Sequence, residues 1–405
     1  MNVLLLQPGY PTEIPFFTRG LEVNGATVYG VGDQPEHDLP KLVRDSIKGY
    51  LRVGSLADEK SVVEAVKKWA ADKHIDKVES LWEPGILIAA QIREALGVPG
   101  MSVKQATWFR NKDVMKQVLS KAGIRVPKHA SAKTAADVRK AAKKIGYPII
   151  VKPIAGAGSS DTYRVNDDAE LDATLKKMGH IDEVNIEEFI DGEEYTFDTI
   201  CVDGEIKFWN IFVYRPRPLI ARSVEWISPQ TVALRDPEAD ELAAGRKLGQ
   251  AVLKALKFQT GFTHMEWYMK PDGEVVFGEI AARPPGARSV DAMNYACDID
   301  LFVGWGEAVV KGTFSQKVER KYNSAIVFKR AQGQGRIRKI EGLDQLRRRF
   351  GDSIACVDLL PLGAERRNWV QTLTSDGYVV VRHPDLQTCL DMADAVGTDL
   401  QMYAS

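Results

Sequence analysis

Cysteine is scarce in this chain. There are four in 405 residues, Cys201, Cys297, Cys356 and Cys389, and none has the paired spacing of a zinc site. That argues against a disulfide framework; Cys201 and Cys297, in apolar or mixed surroundings, read as buried thiols suited to a reducing cytoplasm. Charge of one sign is lacking too. Lys and Arg total 54 and Asp and Glu 55, for a net charge of -1, which speaks against a generic nucleic-acid or anionic-membrane surface. The run Arg347-Arg348-Arg349 is local and reads as a solvated helix face. No apolar stretch approaches membrane-spanning length. The first residues, with Val3-Leu4-Leu5-Leu6 as a buried strand, carry no basic leader or cleavage signal, so no secretory peptide is expected. Repeats and low-complexity segments are missing. So are a Gly-Lys-Ser/Thr phosphate loop and any Ser–His or Cys–His pattern for a protein nucleophile.

What is present begins with length. A chain of 405 residues is expected to divide into two or three domains, each with its own core. Residues 1–104 read as a small α/β domain: strands at 2–7, 26–31 and 78–82, helices at 16–23, 61–71 and 86–96, the last stopped by Gly97. Alternating strands and helices imply a parallel sheet. The first loop, from Pro8 to Pro15, sits at the carboxyl end of the first strand, where open α/β sheets bind ligands; a rigid connector fits it as well. Residues 105–185 form a lysine-bearing α+β lobe, whose helix at 113–122 aligns Val114, Val118, Leu119 and Ala122. Residues 186–319 form an acidic lobe with an amphipathic helix at 239–256. A third piece, 320–405, carries strands at 324–328 and 378–381 and helices at 343–350 and 386–396.

Four segments carry chemistry. Met265-Glu266-Trp267-Tyr268 and Gly278-Glu279-Ile280-Ala281-Ala282-Arg283 read as two strands joined by Lys270-Pro271-Asp272-Gly273, a strong hairpin signal. Side chains alternate along a strand, so Glu279, Ala281 and Arg283 share a face. Two carboxylates and an arginine toward one cavity suit a hard cation with a phosphate; two solvated glutamates on an exposed hairpin fit the same letters. In GYPIIVKPIAGAGSSD a buried strand ends at Lys152, and Gly156-Ala157-Gly158-Ser159-Ser160 follows. Such a loop lets backbone amides approach phosphate oxygens, although a surface hairpin loop has the same composition. In IEEFIDGEEYTFDTICVDGEI the acidic side chains are suited to adenine or ribose, or to water. Arg215, Arg217 and Arg222, with aromatic neighbours, are suited to a substrate carboxylate or to a twisted edge strand; Arg222 and Arg288 are the substrate-binding candidates. His264 shares the strand face of Glu266, beside the metal site or as a satisfied structural histidine.

Taken in order, FRNKDVMKQVLSKAGIRVPKH, YPIIVKP with its glycine loop, EEFIDGEE, and the hairpin ending EIAARPPG resemble the ATP-grasp superfamily over roughly residues 1–320. The resemblance implies an ATP-grasp fold, α/β and α+β, with a Rossmann-like domain before it and a small α/β domain after it. It implies that Lys112 and Lys152 contact ATP phosphates, and that Gly156, Gly158, Ser159 and Ser160 lie in the loop closing over them. Glu187 and the backbone of Phe189 and Ile190 would be the adenine hinge, and Glu194 the ribose acid. Glu266 and Glu279 would hold Mg²⁺, with Mn²⁺ as a substitute, and Arg283 would stand beside the γ-phosphate, sharing catalysis with Lys152. One position departs from the family pattern: Ala281 stands where relatives carry an Asn that also ligates metal.

The function implied is an ATP-dependent carboxylate–amine ligase acting through an acyl phosphate on small molecules, in the cytoplasm, with no nucleic-acid or membrane partner and a homodimer as the assembly to test. An ATP-grasp carboxylase or purine-pathway-like enzyme is one alternative. A nucleotide-binding module without turnover is the other.

Overall fold

The computed structural model describes residues 1–154, 161–372 and 374–405. The N-terminal strands Asn2–Leu6, Thr27–Gly32 and Lys77–Ser80 form where expected, because they are short apolar runs bounded by turns. They make a parallel sheet with a fourth strand, Ile47–Arg52, in the order Ile47–Arg52, Thr27–Gly32, Asn2–Leu6, Lys77–Ser80. Ile47–Arg52 was not legible in advance: it is an edge strand with no fully buried residue, and it lacks an apolar run. The order of connections reverses between Asn2–Leu6 and Lys77–Ser80. That reversal opens a crevice at the carboxyl ends of the two strands, where residues 7–13 and 81–84 lie.

The lysine-bearing lobe is an antiparallel sheet in the order His129–Ala132, Val184–Glu188, Ile149–Pro153, Tyr163–Val165. The lobe boundary expected after residue 185 thus falls inside a strand, and Glu187 belongs to this sheet. Helix Lys112–Lys121 packs beside it. Its buried residues are Lys112, Met115, Lys116 and Leu119; of the expected stripe Leu119 is buried, Val118 packs partly buried against the core, and Ala122 is exposed. The helix turns one face to the core and a lysine face into the cleft.

The acidic lobe and the C-terminal residues share one nine-stranded sheet. Its path runs Val275–Ala281, Gly261–Met269, Glu193–Val202, Phe212–Arg215, Gln230–Ala233, Asn323–Phe328, Gly377–His383, Ile354–Leu359, with Glu205–Asn210 paired to Glu193–Val202. The antiparallel pairing of Gln230–Ala233 with Asn323–Phe328 carries the ladder across the boundary expected at residue 320. The third piece therefore extends the sheet of the second.

Two helices lock the N-terminal unit to this sheet. Ile14–Val23 crosses Leu301–Lys311 so closely that a Cβ at Gly20 would lie 2.2 Å from the Phe302 carbonyl oxygen, and one at Gly306 2.2 Å from that of Gly20. Phe17 fills the space beside the crossing, edge-on to Phe302 at 4.8 Å and to Trp305 at 5.4 Å. The crevice of the first sheet is thereby fixed against the end of the hairpin. Among the described residues no helix is long and apolar enough to cross a membrane, and the four cysteines are free.

Candidate active site

The hairpin forms as its turn residues dictate. Gly261–Met269 and Val275–Ala281 pair antiparallel, and Gly273 takes the positive φ of 84° that the turn requires. Glu266 and Glu279 are direct cross-strand partners, and a register shift between Glu266 and Trp267 marks a bulge at that point. On the facing lobe, Ile186 enters the core while Asn185 and Glu187 take the cleft side of their strand.

These two surfaces meet in a network of opposite charges. Lys112 Nζ lies 2.7 Å from Glu279 Oε1. Lys152 Nζ is 3.0 Å from Glu187 Oε1 and 3.8 Å from Glu279 Oε2. Lys116, fully buried, reaches Glu187 Oε1 at 2.5 Å. Burial opposes ionisation of Glu279, but Lys112 and Lys152 outweigh it and hold the carboxyl at about 2. Burial likewise disfavours the Lys152 ammonium, and Glu187 and Glu279 keep its pKa above the ordinary value. At Lys116 burial wins over Glu187 and the pKa falls to about 8.

Arg283 follows the second strand of the hairpin and reaches the crevice of the N-terminal sheet. Its Nε donates to Glu83 Oε2, while Arg110 Nη1 donates to Glu83 Oε1 at 2.5 Å. Its Nη1 donates to its neighbour's carbonyl, Pro284 O, at 2.8 Å. Five residues on, the Arg288 backbone N–H donates to Glu13 Oε1 at 2.8 Å, and its Nε donates to the Tyr378 hydroxyl at 2.8 Å. The guanidinium lies between the Phe16 and Tyr378 rings, at 5.5 and 5.7 Å. Loops of the first sheet thus hold both arginines.

Residues 117–292 match the ATP-grasp domain family. Over that stretch the chain is similar to ATP-grasp domains. An L-arginine-specific L-amino acid ligase of Bacillus subtilis is 29% identical over 294 residues, which is 71% of this chain and 70% of that protein. Alanine–anticapsin ligase of Bacillus subtilis strain 168 is 26% identical over 271 residues, covering 60% of this chain and 56% of that one. The crystal structure of an L-amino acid ligase from Bacillus licheniformis superposes with a TM-score of 0.81 at 21% identity, covering 100% of this chain and 98% of the other.

Within this cleft, Lys112, Lys152, Glu187, Glu266, Glu279 and Arg283 converge. The Glu187 carboxylate faces Lys116 and Lys152 and accepts from Asn185. Phe189 bonds Pro148 O through its N–H at 3.2 Å, and Ile190 is buried. Glu194 lies opposite Tyr268; burial, then the like charge of Glu266, raises its pKa to about 8. Arg222 donates to Val370 O at 2.8 Å and lies near Arg330, away from the lysine–carboxylate group. Gly156, Gly158, Ser159 and Ser160 lie outside the described residues.

Sequence reasoning missed Glu83, Arg110, Lys116 and Tyr214. Tyr214 comes from the segment read for its arginines, and it is half-buried near Glu266, Asp198 and Glu194. Lys116 had a usable signal, standing one helical turn beyond Lys112.

Proposed function

We propose that this chain is an ATP-dependent carboxylate–amine ligase. The observation that carries the reading is the convergence of Lys112, Lys152 and Arg283 on the cross-strand carboxylates Glu266 and Glu279. Cations so placed stabilise charge on a phosphoryl group in transfer. The relatives named as amino acid ligases support the same reading. On binding, ATP phosphates exchange the carboxylate partners of Lys112 and Lys152 for phosphate oxygens. Glu194, buried and without a described cationic contact within ion-pair distance, takes hydrogen bonds from ribose hydroxyls.

The residues present fit a divalent cation. Among the described residues no group of three or more His, Cys, Asp or Glu side chains is arranged to hold a metal alone. Mg²⁺ does not need one, since it takes one or two carboxylates and completes its shell with phosphate and water oxygens. Glu266 and Glu279 would hold it, and when bound it would neutralise phosphate charge.

A substrate carboxylate oxygen attacks the γ-phosphorus and ADP leaves. An amine then attacks the acyl carbon, phosphate leaves, and the amine loses a proton. Arg283, oriented by Glu83, meets the phosphoryl oxygens. Arg288, fixed by Glu13 and Tyr378, offers its Nη groups to the carboxylate of a small substrate, which the relatives suggest is an amino acid.

The test is phosphate release from ATP across panels of amino acids and other carboxylates, with hydroxylamine present. Substrate-dependent phosphate with hydroxamate formation is the expected result. Tight ATP binding without turnover on any panel would favour the nucleotide-binding module instead.

A further inference from the structure

A polar chain runs from the interior of the large sheet to Glu266 in the cleft, and its inner members, Asp198 and His264, have no part in the chemistry above. Asp198 is completely buried on the central strand Glu193–Val202. Thr196 Oγ1 donates to its Oδ2 at 2.5 Å. Its Oδ1 lies 2.6 Å from His264 Nδ1. The opposite ring nitrogen, His264 Nε2, lies 3.5 Å from Glu266 Oε1. Pairing sets this arrangement: His264 is the register partner of Asp198 on one side and of Ala281 on the other.

A buried carboxylate requires a partner, and here the partner is the imidazole. With Nδ1 as the donor to Asp198, the ring has one orientation, and Nε2 faces Glu266. Ala281, buried and ending at Cβ, is the neighbour of the imidazole on the other strand. Carboxylates that ligate metals are themselves held by hydrogen bonds, and loss of such support costs roughly 10–100-fold in metal affinity.

We propose that Asp198 and His264 are positioning residues for Glu266: the buried carboxylate orients the imidazole, and the imidazole orients the carboxylate that faces the cation. The inference rests on the reading of Glu266 as a cation ligand, and the experiment separates the two. Mn²⁺ is titrated into the full chain saturated with ADP, with free Mn²⁺ read by electron paramagnetic resonance. The proteins are the parent, His264→Asn, Asp198→Asn, Glu266→Gln and the His264→Asn/Glu266→Gln double variant. ADP affinity without metal, measured by calorimetry, reports that each is folded.

His264→Asn and Asp198→Asn are each expected to weaken Mn²⁺ binding by roughly 10–100-fold, with metal-free ADP affinity unchanged. In the Glu266→Gln background, His264→Asn should add less than about threefold, because its effect passes through Glu266. If Glu266→Gln weakens Mn²⁺ binding and the Asp198 and His264 variants do not, the positioning role is wrong and the ligand reading stands. If the His264 and Glu266 effects add in full, His264 acts on its own account and the proposal falls. If Glu266→Gln itself changes nothing, the cation-ligand reading fails and takes this proposal with it. Should His264→Asn not fold, Asp198→Asn alone decides by the same criterion.

Discussion

Glu83 and Arg283, 200 residues apart, form a buried ion pair that joins the crevice of the N-terminal sheet to the end of the glutamate hairpin. Glu83 also takes Arg110, so one carboxylate holds two guanidinium groups. The orientation of Arg283 in the cleft is therefore set by a loop of another sheet. The close crossing of helices at Gly20 and Gly306 holds that loop in place.

Glu83→Gln keeps the shape of the side chain and removes its charge. Misplacing a group that acts on the transferred phosphoryl by about 1 Å costs on the order of a hundredfold in rate. Turnover should fall by about that factor, with ADP affinity nearly unchanged in calorimetry. Equal losses in turnover and ADP affinity would mean that Glu83 supports the whole cleft rather than Arg283.

Lys152→Ala should weaken ATP binding. A charge-assisted contact is worth roughly 1.5–3 kcal/mol, or tenfold and more in dissociation constant. The variant also leaves Glu187 with fewer cations, so the unfolding midpoint should drop as well. An unchanged dissociation constant would remove Lys152 from the phosphate site.

Ala281→Asn restores the residue of the family pattern, yet the structure sets it opposite the imidazole of His264 at a buried position. Overpacking of this kind costs typically about 1–3 kcal/mol. The variant should be less stable in denaturant unfolding and should need no less Mg²⁺ for half-maximal turnover. A lower Mg²⁺ requirement at full stability would show that the side chain fits and ligates.

Asp291 supplies a pH dependence away from the cation site. Burial outweighs the nearby Arg288 and pushes its pKa to about 6. The folded chain binds this proton more tightly than the unfolded chain. Its contribution to stability is therefore complete below about pH 4 and is lost as pH rises through 6. Asp291→Asn stays neutral throughout. Its stability relative to the parent should grow between pH 4 and pH 7, by roughly 1–3 kcal/mol, as read from urea unfolding at each pH. A flat difference over that range would mean that Asp291 titrates as an exposed carboxyl.

Local pattern was sufficient where neighbours in sequence are neighbours in space. The hairpin followed from Asp272-Gly273 between alternating runs, and the pairing of Glu266 with Glu279 came with it. The same holds for the parallel strands, for Lys152 near the end of a buried strand, and for the order of motifs that resembles ATP-grasp proteins. Pattern was insufficient for Lys116, because amphipathic reasoning puts lysines on the solvent side, and here that side is a closed cleft lined by Glu187. It was insufficient for the lobe boundary too: the strand that carries Glu187 belongs to the first lobe's sheet.

By itself the sequence determined the elements and the chemical types gathered in the cleft, because backbone periodicity, turn preferences and the functional group of each side chain are properties of short segments. Only tertiary structure decided which carboxylate faces which cation. Glu83 with Arg283, Glu13 with the backbone N–H of Arg288, and Asp198 with His264 come together through sheet pairing and helix crossing. At those separations no local rule relates one residue to the other, and burial, which gives each contact its strength, exists only once the layers have packed.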